Sequence, residues 1–196
     1  IQPPPGFEDK TVKDLLPLLD NPSAEIREKA TAGISWQLGR NEFSLTNVEP
    51  TVVAATLEKT TSLFKHEENR AVRIGCVAIL LGLNSWTNTF SAIVQTTGDK
   101  DYLVRVRAIS ALLYVTNARH EQVPSIVLSR LEDCLKSSDI ETLWQAALAA
   151  GETKEQRFLP LLQRLLKSPS PKVSRYASEA ITKIEGNSPR SSADSK

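Results

Sequence analysis

The segment LLPLLDNPSAEIREKATAGI, residues 15–34, decides the fold of this chain. Leucines recur at helical spacing until the polar turn Asn21-Pro22-Ser23, after which Ile26-Arg27 opens a second run with small residues on one face. Apolar residues three and four positions apart indicate amphipathic helices, and a Pro-containing polar stretch between them indicates a turn. The segment therefore predicts two helices joined by a tight turn.

The same pattern recurs along the rest of the chain. In each copy an apolar residue is followed by a basic residue or its substitute, and then by small and aliphatic residues at helical spacing. The five copies begin at Ile26-Arg27, Val72-Arg73, Val104-Arg105, Leu143-Trp144 and Val173-Ser174. Repeats of roughly 30–47 residues with two helices each are typical of an α-solenoid, in which every repeat buries its apolar face against the next.

The local signals place the elements. Thr11 and Asp14 are spaced to cap a first helix, which Pro17 should bend because it lacks a backbone N–H. No stretch alternates with period two, so no strand is predicted. The further helices are predicted at about 24–38, 50–65, 69–83, 86–97, 101–116, 121–136, 139–150, 153–167 and 171–185. These helices form a single predicted domain over residues 11–186, between an extended Pro-rich lead at 1–10 and a disordered tail at 187–196.

Composition narrows the function classes. The 196 residues include 24 basic and 23 acidic side chains, and this balance disfavours a dedicated nucleic-acid binder. No apolar run reaches the ~18 residues that span a bilayer, so membrane insertion is not predicted. Cys76 and Cys134 fall on apolar stretches, which predicts buried thiols and is compatible with the cytoplasm without requiring it. A chain that begins at Ile1 and contains no methionine is expected to be processed or part of a longer protein.

Residues 15–34 resemble a HEAT repeat, whose pattern is leucine pairs, an Asp-x-Pro turn, Val/Ile-Arg and then small residues. The segment LLQRLLKSPSPKVSRYASEAI at 161–181 repeats the Ser-Pro turn and the small-residue spacing, and DKDYLVRVRAISALLYV at 99–115 is similar to the second helix of the repeat. The resemblance covers about residues 11–186. It implies an all-α, right-handed, armadillo-like superhelix of about five HEAT-like helix pairs.

The resemblance also gives a role to one basic position. In HEAT families an arginine at the start of the second helix pairs with a carboxylate of its own or the adjacent turn. The structural arginines implied here are Arg27, Arg73 and Arg105. Asp20 fits the carboxylate position of the first repeat, and Trp144 takes the arginine position of the fourth. The carboxylate positions of the later repeats hold His66, Gly98, Ser137 and Lys167, so we expect an incomplete ladder.

The second helix of each HEAT pair lines the concave surface, and the resemblance implies the same here. At about 100° per residue, positions three and ten past each Ile/Val anchor share a face. On this face basic and aromatic residues surround Gly75 and Gly82, a composition that suits an acidic or extended partner, although the aromatic rings would equally fill gaps between repeats. The candidate partner-binding residues are Lys29, Trp36, Arg107, Tyr114, Tyr176 and Lys183.

A second stripe, at positions two and nine past each anchor, is apolar only in the middle repeats. Its apolar members are Ile74, Leu81, Val106 and Leu113. One interpretation is that central helices are covered on more sides than terminal ones. The other is an exposed apolar strip that binds a helix of a partner.

Motifs for catalysis are weak. His66 and His120 lack Cys or His neighbours at metal-ligand spacing, and no Gly-rich phosphate loop occurs. We therefore predict no catalytic residue, metal or cofactor, and interpret the chain as a protein-interaction scaffold that binds a protein or peptide. Two alternatives stay open: a bilin-lyase-like HEAT protein that holds a tetrapyrrole or its acceptor, and a HEAT-like DNA-repair glycosylase. The residues that would serve the glycosylase are Trp36, Trp86, Trp144, Tyr114, Arg105, Arg107, Arg119 and Arg130.

The stripe hypothesis predicts that Tyr114→Ala and Arg107→Ala weaken capture of a protein partner while the helical melting curve stays nearly unchanged. Quantitative pull-down together with thermal circular dichroism tests this. Equal loss of binding and stability would instead identify both residues as structural.

Overall fold

The structure is a computed structural model that describes residues 4–40, 49–85 and 88–186. Within these ranges every regular element is helical, which confirms the all-α prediction. The α-helices are α1 Val12–Leu15, α2 Ala24–Arg40, α3 Pro50–His66, α4 Arg70–Gly82, α5 Thr89–Thr96, α6 Tyr102–Arg119, α7 Ser125–Cys134, α8 Ile140–Thr153, α9 Leu159–Leu165 and α10 Pro171–Glu185. Trp86, the predicted tail at 187–196 and residues 1–3 of the predicted lead lie outside the described residues.

The first helix begins as predicted. The Thr11 side chain accepts from the N–H of Asp14 at 3.3 Å, and the Asp14 carboxylate accepts from the N–H of Thr11 at 3.0 Å. This reciprocal capping box fixes the start of α1. After one turn the chain tightens into a 3₁₀ helix over Leu16–Asp20, which contains Pro17. The change of helix type at the proline agrees with its missing hydrogen-bond donor.

The lead differs from its predicted extended conformation. Over residues 4–10 the chain forms turns, in which the N–H of Phe7 donates to the carbonyl of Pro4 at 3.0 Å. Gly6 has φ of 82°, a left-handed conformation that glycine adopts readily. The Phe7 side chain packs against the core formed by α1, α2 and their neighbours. The turns of the lead thus place the partly buried Phe7 ring against this core.

Two predicted boundaries also shift. The helix predicted to begin at 121 begins at Ser125, because Pro124 precedes it and disfavours helical backbone in the residue before it. The helix predicted over 153–167 is divided: α8 continues to Thr153, Lys154 is left-handed with φ of 57°, and α9 begins at Leu159 after a 3₁₀ turn over Gln156–Phe158.

Contacts divide the chain into two compact units, Ile1–His120 and Glu121–Lys196. The single domain predicted over residues 11–186 stays a prediction. In the first unit α2 packs against α4, and α4 packs against α6. The other helices of this unit form a second row, in which α3 contacts both the 3₁₀ segment Leu16–Asp20 and α5. In the second unit α8 packs against α7 and α10, and α10 packs against α9.

The cores of both units use the predicted small and aliphatic positions. Leu15, Ile34 and Ile79 are fully buried where α1, α2 and α4 meet. In the second unit Phe158 and Val173 are fully buried. Further small residues that are buried at helix contacts are Ala30, Cys76, Ala108, Ala147, Ala177 and Ala180. Small side chains at these positions allow neighbouring helices to approach closely.

A buried arginine joins successive turns of the first unit. Arg73 in α4 donates through Nε and Nη2 to the two carboxylate oxygens of Asp99, at 2.9 and 3.2 Å. Its Nη1 donates to the carbonyls of Glu67 and Glu68, at 3.2 and 2.9 Å. The side chains of Arg73 and Asp99 are each 5% exposed. In this arrangement an arginine donates to the backbone carbonyls of the turn before its own helix and to a carboxylate in the next turn along the chain. We call it the arginine clamp.

Arg27 forms the same clamp at the preceding turn, on α2. It donates to Glu67 through Nε and Nη2, at 2.6 and 2.9 Å, and its Nη1 donates to the carbonyls of Asn21 and Pro22. Arg105 differs, because its Nε and Nη2 both donate to the carbonyl of Asp99, at 3.1 and 2.9 Å. Two full clamps therefore hold the turns of the first unit together.

The clamp corrects the assignment of Asp20 as a carboxylate partner of Arg27. Asp20 instead pairs with Lys59, and the clamp acids follow the assigned residues by one position, Glu67 after His66 and Asp99 after Gly98. The reason is local. Each clamp acid also accepts the N–H two residues on, that of the residue preceding the helix, which fixes its register. Serine hydroxyls make this same bond at Ser137 and Ser168 in the second unit.

The alignment of the fourth predicted repeat also shifts by one residue. Asp139 caps α8 and accepts from the N–H of Thr142, at 2.7 Å. Counted from this cap as Arg73 is counted from Asn69, the arginine position of the fourth repeat holds Leu143 rather than Trp144. Trp144 lies one residue further along the helix surface.

The clamp predicts an acid-sensitive contribution to stability. The hydrogen bonds from Arg27 hold the pKa of Glu67 below its ordinary value. An acid with a lowered folded-state pKa stabilises the fold above its ordinary pKa, and that contribution is lost as the pH falls through the lowered value. We expect Glu67→Gln to reduce the free energy of unfolding by about 1–3 kcal/mol near neutral pH, and the difference from wild type to shrink below pH 4.5.

Urea titrations between neutral pH and pH 3 measure this difference, with the exposed Glu58→Gln as the matched control on α3. A deficit of constant size at every pH would contradict the assignment of ionised Glu67 to the clamp.

Candidate functional site

A groove of about 780 Å³ lies between α2 and α4 in the first unit. We call it the α2–α4 groove. Six residues between Glu28 and Gly39 line it on α2, and six between Ala71 and Gly82 line it on α4. It is the larger of the two cavities described for residues 4–40, 49–85 and 88–186.

Glycines bring the two helices close and set their register. A Cβ atom at Gly75 would collide with Thr31, and one at Gly82 would lie 2.8 Å from Cβ of Leu38. Both pairs are separated by 44 residues in the sequence. Because the separation is constant, α2 and α4 run parallel and keep the same register along the groove.

The groove is apolar with one acid at its rim. Trp36, Ile74 and Leu81 are half-buried and provide its large apolar side chains. The hydroxyl of Thr31 is already engaged, because it donates to the carbonyl of Glu28 at 2.9 Å. Of the described residues that line the groove, only Glu28 is ionisable, and it is exposed. A surface with these large apolar side chains is suited to contact with an apolar group.

The six predicted partner-binding residues do not all meet in one unit. Lys29, Trp36, Arg107 and Tyr114 belong to the first unit, and Tyr176 and Lys183 belong to the second. Of these only Trp36 lines the groove. Lys29 pairs with Glu25 on its own helix, at 2.7 Å. Arg107 and Tyr114 are exposed on α6, and Tyr114 retains 55% of its surface.

In the second unit the same stripe makes contacts between helices. The rings of Tyr176 on α10 and Trp144 on α8 stack with centroids 5.0 Å apart. The ammonium of Lys172 lies 3.7 Å from the centroid of the Trp144 ring, a cation–π contact. Lys183 pairs with Glu152 at 2.5 Å. These two rings therefore pack against each other between α8 and α10.

The second, apolar stripe is the better guide to the groove. Its members Ile74 and Leu81 line the groove, whereas Val106 and Leu113 are buried. The sequence interpretation missed Ala32 and Ala78, which also line it. A signal for Ala78 exists in α4, where Ala71, Gly75, Ala78 and Gly82 place small residues at alternating spacings of four and three.

A second cavity of about 280 Å³ adjoins the clamp between α3 and α5. Its lining includes Glu67, Arg73 and Asp99. The Arg73 guanidinium already donates to Asp99 and to two backbone carbonyls. This cavity therefore borders a structural ion pair whose polar groups serve the fold.

The chemistry of the titratable side chains is limited. Among the described residues, no group of three His, Cys, Asp or Glu side chains is arranged to hold a metal ion. Cys76 and Cys134 are both buried. Burial raises the pKa of the Cys76 thiol to about 12, so it remains protonated at neutral pH. His66 and His120 are exposed.

A scan against models of protein families and a search of curated proteins both find no match. Over residues 4–40, 49–85 and 88–186, none of the helices has the length and apolar character needed to cross a bilayer.

Because α2 and α4 approach closely, replacing Gly75 by alanine should lower the stability of the fold, the opposite of the usual effect of alanine in a helix. Glycine to alanine within a helix ordinarily stabilises by roughly 0.5–1 kcal/mol. At Gly75 the added Cβ meets the Thr31 side chain, so we expect Gly75→Ala to destabilise by about 1–3 kcal/mol instead.

Gly39→Ala is the matched control, because a Cβ there meets nothing within 4 Å. Urea unfolding followed by circular dichroism measures both variants. A gain of stability at Gly75 would show that the two helices are further apart than described.

Proposed function

We propose that this chain is a HEAT-like α-solenoid that binds another protein through the α2–α4 groove and acts as a non-catalytic scaffold. The observation that carries the proposal is the groove itself, which exposes apolar side chains along two helices of the first unit. Exposed apolar surfaces rimmed by polar residues are typical of interaction sites.

Two features support the repeat architecture. In the first unit the contacts α2 to α4 and α4 to α6 form one row, and the 3₁₀ segment Leu16–Asp20 to α3 and α3 to α5 form another. This agrees with helix pairs stacked on their neighbours. The clamp supports it as well, because Arg27 and Arg73 make the same bonds to their own turn and to the next one.

The composition of the groove supports a macromolecular, uncharged contact. Trp36, Ile74 and Leu81 provide large apolar contacts over small neighbours, and a tryptophan at the centre of a contact often contributes a large share of binding energy. The helices that form the groove are held by core packing and by the clamps. Binding therefore needs little ordering of the site, which reduces the entropic cost of association.

Neither enzymatic alternative gains a specific observation. The bilin-lyase-like alternative lacks an exposed thiol among the described residues, since Cys76 and Cys134 are buried. For the glycosylase alternative, Arg105 and Arg119 were two of the arginines expected to form a basic surface. Both donate to backbone carbonyls of this chain. The scaffold remains the function that the described residues favour.

Filling the groove should abolish binding without unfolding the chain. Ala32 lines the groove and is exposed, so Ala32→Arg adds a long charged side chain without removing a buried contact. We expect at least a tenfold loss of partner binding, which corresponds to about 1.4 kcal/mol.

The matched control is Ala54→Arg, an exposed alanine inside α3 that does not line the groove. Affinity purification with quantitative mass spectrometry compares the partners of both variants, and circular dichroism compares their melting. The same partners retained at equal yield by both variants would refute the groove as the binding site.

A further inference from the structure

We infer that the occupant of the α2–α4 groove is a short amphipathic α-helix of a partner protein, with its apolar face in the groove and a lysine or arginine beside Glu28. This inference rests on the proposed function, because it names the partner element that binds at the same site. Three properties of the groove carry it: its length, the hydrogen bonding around it and its charge.

The length of the groove matches about three helical turns. On α2 the lining runs from Glu28 to Gly39 and on α4 from Ala71 to Gly82, a stretch of twelve residues on each helix. At a rise of 1.5 Å per residue this is about 17 Å. A partner helix of about 12 residues spans that distance and presents apolar residues at positions i, i+4 and i+7.

Hydrogen bonding favours a helix over an extended peptide. Both walls are helices, whose peptide groups are largely bonded within the helix. The polar side chains of the lining are few, and the hydroxyl of Thr31 already donates to the carbonyl of Glu28. An extended peptide would bury N–H and C=O groups with few partners, at a cost of about 1–3 kcal/mol for each unsatisfied group. A helix satisfies these groups internally.

The shape of the groove allows close approach of such a helix. Gly75, Ala78 and Ala32 contribute little side-chain volume, so a partner backbone can lie near them. Trp36 and Leu81 are half-buried and keep apolar surface that partner side chains can cover. Small residues flanked by large apolar ones are what interdigitating helices require.

The charge of the rim specifies the partner further. Glu28 is exposed at the end of the groove nearer the helix N-termini, and none of the described lining residues between 28 and 39 or between 71 and 82 is a lysine or arginine. The neighbouring acid Glu25 is already paired with Lys29. No ion pair of the Glu28 carboxylate occurs among the described residues. A cation on the partner helix would supply the missing charge, and an acid there would be repelled.

Selection of peptides on the intact chain tests the inference. A displayed library of random peptides of about 16 residues is selected on the full chain and counter-selected on Ala32→Arg. We expect the enriched sequences to carry apolar residues at i, i+4 and i+7 with a lysine or arginine near one end, and to gain helical circular dichroism on binding. Fluorescence anisotropy then gives their affinities.

Charge exchange tests the role of Glu28. Glu28→Gln should weaken an enriched peptide about two- to fivefold, the range of an exposed ion pair. Glu28→Lys should weaken it more, and replacing the peptide's cation by glutamate should restore binding to that variant. Failure of the exchanged pair to recover affinity would remove the cation from the inference.

The other outcomes separate this inference from the proposed function. Peptides that depend on the groove but contain proline, lack helical periodicity or carry an acid in place of the cation would overturn the helix and leave the groove as a protein-binding site. If no enriched peptide is sensitive to Ala32→Arg, both proposals fail. A dimer that Ala32→Arg dissociates in analytical ultracentrifugation would identify a second copy of the chain as the occupant.

Discussion

The first unit depends on the pairing of buried arginines with acids from the following turn. A guanidinium and a carboxylate that are each 5% exposed, as in Arg73 and Asp99, have lost most of their hydration. This loss is compensated only when both groups are nearly fully hydrogen-bonded. Arg73 meets this condition by binding two turns at once. The same side chain therefore satisfies its own charge and fixes the distance between successive turns.

The residue type at the position of the clamp acids differs between the two units. Asn69 and Asp101 directly precede α4 and α6. The clamp acids Glu67 and Asp99 lie two residues before them and accept their N–H groups. Serines replace them at Ser137 and Ser168 and keep only that local bond. A serine hydroxyl cannot form the bidentate pair that a carboxylate forms with arginine. The full clamps are thus found in the first compact unit.

Much of the helical layout was predictable because it follows from local spacing. Thr11 and Asp14 predicted a capping box that the structure contains, and the Pro-containing turns separate helices where expected. The partner of Arg27 was not predictable from the same signals. Its acid is 40 residues away. The assignment to Asp20 used sequence proximity, whereas the contact is set by the packing of helices that are distant in the sequence.

The candidate site was predicted only in part, for a similar reason. Helical periodicity placed Ile74, Leu81 and Trp36 on neighbouring faces, and these residues do line the groove. Periodicity does not show whether a face is covered by the next helix. Val106 and Leu113 occupy the same stripe as Ile74 and Leu81 yet are buried. Exposure depends on the distances between helices. Between α2 and α4 that distance is set by Gly75 and Gly82, and helix propensity does not predict glycine at these positions.

The two buried cysteines make local unfolding of this chain measurable by thiol labelling. Cys76 lies in the first unit and Cys134 in the second, and both are fully shielded from solvent. A thiol that is inaccessible to solvent reacts with alkylating reagents only when the surrounding helices separate. Pulse alkylation followed by peptide mass analysis would thus measure opening around Cys76 and around Cys134 separately, with no cysteine introduced by mutation.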